Sequence, residues 1–314
     1  MARICVLGGT GFIGRHLLNR LVERGHRMIV PTRRRIRARE LFLLPTADIQ
    51  EADIYDRDTL ARLVAECDAV VNLVGVLHSR PGRAGGPGYG PDFERAHVRL
   101  PQMLAEAAAG TGVEQILHVS ALGAASDAPS EYLRSKAAGE AAIRSGTVPV
   151  TVFRPSVVFG PEDQFLNVFA HLQRWLPFML LPCPEARFQP VFVGDVAQCL
   201  VRGLLANGSF HKTYELCGPR VCTLRQLVQF AGAASGHPRP VFGLPAAAAH
   251  AQAWLMERLP GKLMTRDNLR SMERANVCDC EFPFGLAPAG LEAATWLTPA
   301  AQRAGDTHIG SSEL

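Results

Sequence analysis

Residues 3–21 read RICVLGGTGFIGRHLLNRL. The first five, RICVL, are an almost unbroken apolar run, as expected of a strand covered on both faces. Ile13, Leu17 and Leu21 then recur every four residues with Leu18 and Val22 beside them, which is one face of a helix, and Gly25 suits its C-terminal cap. Between the two lie Gly8, Gly9, Gly11 and Gly14, a turn that parses both as G-x-G-x-x-G and as G-x-x-G-x-x-G. A strand, a glycine turn and a helix in this order predict an α/β chain of the Rossmann type, a doubly wound parallel sheet.

The same beat continues outward. RMIVPT (27–32) reads as a second strand and ADIQEAD (47–53) as a weaker third, followed by a helix from about Asp58 to Glu66. AVVNLVGVL (69–77) is a strong fourth strand, and the glycine- and proline-rich stretch 78–92 reads as a mobile loop. A helix over 93–109, a fifth strand EQILHVS (114–120), a helix over 131–146 and a sixth strand PVTVFRP (149–155) follow. Beyond residue 155 the alternation loosens into a smaller C-terminal lobe. The expected organisation is a nucleotide-binding domain at 1–160, with 189–200 and 213–217 returning to it, a substrate or partner lobe at 161–305, and a flexible tail at 306–314. The Ala-rich segment 245–258 reads as a core helix in preference to an amphipathic surface with Trp254, Leu255 and Leu259 on its apolar side.

Composition narrows the function. Lys plus Arg is 33 against 29 for Asp plus Glu, a net charge of only +4. Arg33, Arg34, Arg35, Arg37 and Arg39 sit together, so the excess is local; it suits one anionic ligand and speaks against nucleic acid as a partner. Eight cysteines scattered through apolar segments give no disulfide framework and point to a reducing compartment. Cys278 and Cys280 form a C-x-C with no second pair, so no metal is expected. No secretory signal or membrane-spanning run is legible, and a soluble, cytoplasmic protein is expected.

The glycine turn lets the backbone approach a pyrophosphate, and the N–H groups opening the first helix face its charge. Gly8, Thr10, Gly11, Phe12, Ile13 and Gly14 are therefore candidate dinucleotide contacts. The end of the second strand selects the dinucleotide. A site for NAD(H) places Asp or Glu there for the ribose 2′-hydroxyl. This chain has PTRRRIRAR, with no acid between Glu23 and Glu40. Guanidinium groups pair bidentately with a 2′-phosphate that a carboxylate would repel, so Arg33 and Arg34 favour NADP(H) over NAD(H). Asp53 and Ile54 after the third strand are expected at the adenine, and Asn72, Leu73, Val74 and Gly75 under the adenosine and ribose.

Ser120 ends the fifth strand, and Tyr132 and Lys136 lie four residues apart on the next helix, about 6 Å along its axis. An ammonium beside a phenol lowers its pKa, the lysine can hold ribose hydroxyls, and the serine can orient a substrate oxygen. Ser120, Tyr132 and Lys136 are the candidate catalytic residues. Pro155 and Val158, after the sixth strand, could abut a nicotinamide. His118 reads as a packed residue, and Glu162 and Asp163 as a device at a helix start.

Taken together, GGTGFIG (8–14), NLVGVLHSRPG (72–82), FERAHVRLPQ (93–102), HVSALGA (118–124), YLRSKAAGE (132–140), FRPSVVFGPEDQFLNVFA (153–170), QPVFVGDVA (189–197), YELCGP (214–219) and LPGKLMTRDNL (259–269) resemble the short-chain dehydrogenase/reductase superfamily in its extended or atypical branch. The longer of these motifs are most similar to the family of nucleotide-binding accessory subunits of respiratory complex I and their bacterial relatives. That resemblance implies tightly held NADP(H) and an organising role near the membrane arm. It implies complex I or another membrane-associated assembly as partner, and a place at the inner face of the membrane. Relatives that serve as accessory subunits keep the tyrosine and lysine and are regarded as binders, so the pair does not establish turnover. Relative to the family pattern, 83–89 looks like an insertion where a substrate lid would lie. Three readings stay open: a structural or redox-sensing nucleotide holder, an active oxidoreductase or epimerase/dehydratase acting on a quinone-related, lipid-like or sugar-nucleotide substrate, and a redox-sensing regulator.

Overall fold

A computed structural model describes residues 1–82, 86, 88–205, 207–258 and 264–298. The chain divides into two units, each assembled from separate segments. Unit one holds Met1–Pro155, Val193–Leu216 and Asp279–Leu286. Its first half alternates β1 (Arg3–Leu7), α1 (Phe12–Glu23), β2 (Arg27–Thr32), β3 (Ala47–Glu51), α2 (Arg57–Ala65) and β4 (Ala69–Asn72). After the loop come α3 (Pro91–Phe93), a π-helical turn (Glu94–Arg99), α4 (Leu100–Ala108), β5 (Gln115–Val119), α5 (Glu131–Arg144) and β6 (Val150–Pro155).

Unit two, made of Ser156–Phe192, Cys217–Cys278 and the chain from Ala287 onward, takes up β7 (Val158–Phe159), α6 (Leu166–Trp175), β8 (Met179–Leu181), β9 (Arg187–Phe188) and β10 (Val191–Phe192). The chain then returns to unit one for α7 (Val193–Leu205) and β11 (Thr213–Leu216). It re-enters unit two for β12 (Cys222–Thr223), α8 (Leu224–Ala234), β13 (Val241–Gly243), α9 (Ala246–Met256) and α10 (Arg266–Met272).

The sheet of unit one has seven parallel strands in the order β3-β2-β1-β4-β5-β6-β11. The order reverses between β1 and β4, so the crevice beyond their C-terminal ends is where such sheets bind ligands. One face is covered by α2 and α4 through Leu60, Leu63, Leu100 and Leu104, which pack with Cys5, Leu7, Val70 and Val152 in one cluster. The other face carries α1 and α7, joined at their surface by a hydrogen bond from Arg20 Nη1 to Gln198 Oε1 at 2.8 Å. Burial of these leucines at about 25 cal/mol per Å² is the main term holding the sheet between its helices.

The sequence predicts one continuous helix over 93–109. Instead the first turns are α3 and the π turn. The cause is local: Pro101 has no N–H to give the carbonyl of His97, so the hydrogen-bond register slips by one residue. That freed stretch meets α5 at Gly139, where a Cβ would run into the His97 carbonyl oxygen. A short 3₁₀ segment, Arg35–Leu43, also occupies what the sequence leaves as a link after β2.

Unit two has its own core, in which Leu166 and Ala170 of α6 pack against Leu224, Leu227, Val228 and Ala231 of α8. Asp163 starts α6: Oδ2 accepts from the Gly160 N–H at 3.0 Å, and Oδ1 from the N–H groups of Phe165 and Asn167 at 2.7 and 3.2 Å. Two sequence expectations are corrected here. Cys217 and Cys278 form a disulfide across 61 residues of sequence, a pairing that no spacing pattern announces. And α9 is not a core helix, because it buries only Ala249 and Ala253 and leaves Trp254 and Leu255 exposed. The loop over 78–92 is closed at its base by Arg80, whose Nε and Nη2 donate to the Asp92 carboxylate at 3.0 and 2.9 Å. The mobility expected of that loop concerns in part residues 83–85 and 87, and the expected tail 306–314, like Leu259, also lies outside the described residues.

The close approach at Gly139 gives a first test. Gly139→Ala should force α5 away from the π turn and lower the unfolding free energy by about 1–3 kcal/mol, measured by denaturant titration.

Candidate functional site

The glycine turn sits directly against the fourth strand's exit. Gly8 has φ +78°, and a Cβ there would lie 3.1 Å from both the carbonyl carbon of Leu73 and the nitrogen of Val74. Only a residue without a side chain meets both demands. Gly11 is the N-cap of α1 and brings no side-chain cap, so the first-turn N–H groups of Phe12, Ile13 and Gly14 remain donors for a ligand. The Thr10 carbonyl accepts from Arg15 Nε at 3.3 Å, and Arg15 Nη1 pairs with Glu40 Oε2 at 3.1 Å. Glu40, the first acid after β2, is thereby turned to an arginine.

Arg33 and Arg34 follow β2 and are exposed, with no acidic partner among the described residues. The Arg34 N–H donates to Thr32 Oγ1 at 3.5 Å, which shapes the turn they stand on. Arg35 is otherwise engaged, its guanidinium lying 5.2 Å from the Phe42 ring centroid. Asp53 is exposed and its Oδ1 accepts from the Tyr55 N–H at 3.0 Å, while Ile54 packs on the core. Beyond it, Tyr55, Glu94, Arg95, Arg99 and Met103 help line a cleft of about 370 Å³, with Arg95 stacked 4.0 Å over the Tyr55 ring.

Asn72 is fully buried. Its Oδ1 accepts from the Val74 N–H at 3.1 Å, and its Nδ2 meets His118 Nδ1 at 3.1 Å. The amide can only donate there, so His118 accepts at Nδ1 and carries its proton on Nε2. Burial first, then the neighbouring Lys136 charge, pushes the His118 pKa down to about 3.

At the β5–α5 end, Ser130 caps α5 by accepting from the Leu133 N–H at 3.2 Å. Lys136, buried, donates from Nζ to the Val119 carbonyl at 3.1 Å, next to Ser120. A Cβ on Gly75 would lie 3.4 Å from the same Nζ, so the ammonium stands between strands β4 and β5 at their C-terminal ends. Burial lowers its pKa to about 8, opposed by Glu140 one turn on. Glu140 in turn receives Arg154 Nε and Nη2 at 2.8 and 2.7 Å, a bidentate pair that locks α5 to β6. The half-buried Tyr132 ring packs with Ala121, Ala128 and Leu133, and meets Phe93 and His97 edge-on at 6.0 and 5.7 Å. Where the sequence suggests that Lys136 draws the phenol pKa down, burial instead pushes it up to about 12.

Sequence reasoning missed His97. It is 1% exposed and joins the loop after β4 to α5. The Val76 N–H donates to His97 Nε2 at 3.0 Å, His97 Nδ1 donates to Ser135 Oγ at 2.8 Å, and Ser135 Oγ donates to the Tyr132 carbonyl at 2.7 Å. Each step has one possible direction once the Val76 amide is fixed as donor, so the ring is neutral and protonated at Nδ1. Burial, then Lys136, pushes its pKa down to about 2. A signal was available: Pro101, four residues on, marks the slipped turn that presents His97.

Unit one thus gathers the glycine turn, Asn72–Gly75, Ser120, Tyr132 and Lys136 along the ends of β1, β4 and β5. Pro155 ends β6, its carbonyl accepting from the Leu122 N–H at 2.9 Å. Val158 belongs to unit two, on β7. A nicotinamide nucleotide fits the residues present. The first turn of α1 offers donors, and the buried Ser120 Oγ and His118 Nε2 have no protein partner among the described residues.

Comparison with known proteins agrees with this geometry. The family described as "NAD dependent epimerase/dehydratase family" matches residues 4–217. Over 233 residues the sequence is 34% identical to NADH dehydrogenase [ubiquinone] 1 alpha subcomplex subunit 9, mitochondrial, of Mus musculus, covering 72% of this chain and 59% of that protein. The match therefore spans less than two thirds of that relative's length. Among solved structures, a nucleoside-diphosphate-sugar epimerase from Staphylococcus aureus superposes with TM-score 0.73 at 16% identity, over 93% of this chain and 99% of that one. UDP-glucuronic acid 4-epimerase from Bacillus cereus, in complex with UDP-glucuronic acid and NAD, superposes with TM-score 0.65 at 19% identity, over 77% and 86%. At these identities the structural likeness speaks for the fold.

The two buried imidazoles predict acid sensitivity. Both are neutral when folded and take a proton near the ordinary value of 6.5 once unfolded. The unfolded chain then binds more protons below that pH, so stability is complete above it and is lost as pH falls. Each ring should contribute up to about 1.4 kcal/mol per pH unit to that loss. Denaturation midpoints between about pH 7 and pH 5 should fall more shallowly in His97→Gln than in the parent; an unchanged slope would contradict the neutral, buried assignment.

Proposed function

The chain belongs to the NAD dependent epimerase/dehydratase family, and from that premise we propose that it is a holder of NADP(H), with the nucleotide serving a structural or redox-sensing role. The observation that carries the choice of nucleotide is the pair of exposed arginines after β2. Arg33 and Arg34 have no acidic partner among the described residues, and the first downstream carboxylate, Glu40, pairs with Arg15. A 2′-phosphate brings the charge those guanidinium groups lack. The α1 N-terminus would face the pyrophosphate, with Thr10, Phe12 and Ile13 bordering it. Asp53 and Ile54 would border the adenine, Asn72–Gly75 the ribose, Lys136 the second ribose, and Pro155 and Val158 the nicotinamide. Binding to the folded state alone stabilises it by mass action.

The bound nucleotide would supply hydride chemistry. The residues of this chain are set for holding more than for proton transfer. Loss of solvation pushes the Tyr132 phenol further from the phenolate that a general base needs, and Lys136 donates to the Val119 carbonyl. A second reading, an active oxidoreductase or epimerase/dehydratase, rests on Ser120 lying beside Tyr132 and Lys136. In it Ser120 orients a substrate oxygen, Tyr132 moves the proton, and Lys136 tunes it. As for partner, similarity to a complex I subunit supports complex I or another membrane-associated assembly; the place that goes with it is peripheral, at the inner face of a membrane.

Two measurements test these readings. NADPH should bind more tightly than NADH, and Arg33→Ala should cut the NADPH affinity by about 10- to 100-fold while leaving NADH nearly unchanged; equal affinities in the parent protein would refute the nucleotide assignment. Tyr132→Phe should leave nucleotide retention and cellular function intact, whereas lost function with retention preserved would shift the balance to catalysis.

A further inference from the structure

Unit two carries an apolar surface that nothing in the nucleotide site uses. Strand β8 alternates, with Met179 and Leu181 buried and Leu180 turned out. Its parallel partner β13 sets Phe242 opposite Leu180, and Phe178 meets Phe242 edge-on at 6.1 Å. Helix α9 is tied to the same ladder by Gln252, whose Nε2 donates to the Leu180 carbonyl at 3.3 Å. The sequence of α9, AAAAHAQAWLM, is apolar on nearly every side, yet only Ala249 and Ala253 are covered, against Leu269. Trp254 is 47% exposed, Leu255 55%, Phe242 54%, and Trp175 at the end of α6 72%. A helix apolar all round is ordinarily buried on all sides. Among the described residues this one has a large face with no cover, on a folded unit whose main core cluster does not draw on it.

The charges that touch the exposed indoles are both positive. Arg258 stacks 3.6 Å over the Trp254 ring and Arg174 lies 5.9 Å from the Trp175 ring, and neither has an acidic partner among the described residues. Two of the acids close by are paired internally, Glu257 with Arg266 at 3.1 Å and Glu185 with Arg225 at 3.3 Å, while Glu273, near Cys183, is a single charge against two. Exposed indoles with guanidinium groups on their faces, next to leucine and phenylalanine, match the layered chemistry of a bilayer surface, with acyl chains below and anionic headgroups above. Among the described residues no helix is long and apolar enough to cross a membrane.

We propose that β8, β13 and α9 form a docking surface for an anionic lipid bilayer. Trp175, Leu180, Phe242, Trp254 and Leu255 enter the interface, and Arg174 and Arg258 meet lipid phosphates. The inference deepens the peripheral location proposed above and rests on that reading, while it is independent of which nucleotide is bound.

The test is co-sedimentation of the full chain with vesicles of phosphatidylcholine, with and without phosphatidylglycerol, alongside tryptophan emission. Binding and a blue shift are expected only with the anionic lipid. Trp254→Ser with Leu255→Ser should lower partitioning about 100-fold or more. Arg174→Gln with Arg258→Gln should lower it about 20-fold and remove most of its salt dependence. All four positions are solvent-facing, so nucleotide retention and the melting temperature should stay at parent values, and Arg33→Ala should leave vesicle binding unchanged. Absence of binding to anionic vesicles, or binding indifferent to both double variants, overturns the proposal. If the protein instead sediments only with native membranes, and protease treatment of those membranes releases it, the surface serves a protein partner. The lipid assignment then fails while the peripheral location survives.

Discussion

One uncharged imidazole holds the site in register. His97 takes the amide of Val76 on one nitrogen and gives its proton to Ser135 with the other, and Ser135 passes the contact to the Tyr132 carbonyl. The strip that follows β4 and the helix carrying Tyr132 and Lys136 are thus fixed to each other through a ring that works only while neutral. A charged ring there would lose its acceptor nitrogen and stand beside the Lys136 ammonium. The turn slipped by Pro101 presents the ring, and the absence of a side chain at Gly139 lets α5 come close enough to receive it.

Around that tie the two halves of the site differ in character. The glycine turn and α1 present backbone donors that need no side chain and no titration. The β5–α5 end is built from buried ionisable groups, each held away from its ordinary state: a lysine drawn down, a phenol pushed up, two histidines kept neutral. The bidentate Arg154–Glu140 pair anchors the helix between them.

Much of the first unit was legible because its signals are local. Apolar runs gave β1, β4 and β5, four-residue spacing gave α1, and the glycine turn between β1 and α1 gave the doubly wound parallel sheet. What stayed hidden depends on tertiary context. The Cys217–Cys278 bond joins residues far apart in sequence. His97 reads as one polar residue in an ordinary amphipathic helix until Pro101 is seen to deny it a hydrogen bond. Tyr132 next to Lys136 suggests charge stabilisation of a phenolate, but the phenol's loss of solvation outweighs it. Helix α9 has no periodicity to read, so its exposed side could not be told from its covered one.

The discontinuous make-up of the first unit has a consequence for synthesis. The edge of β6 is completed by β11, which the ribosome adds only after Ser156–Phe192 and α7 have emerged. At common elongation rates that interval lasts about 3 to 12 seconds. Throughout it the outer edge of β6, whose other edge pairs with β5, is open as a template for pairing with other nascent chains. A chain with its strands in uninterrupted succession would cover that edge sooner.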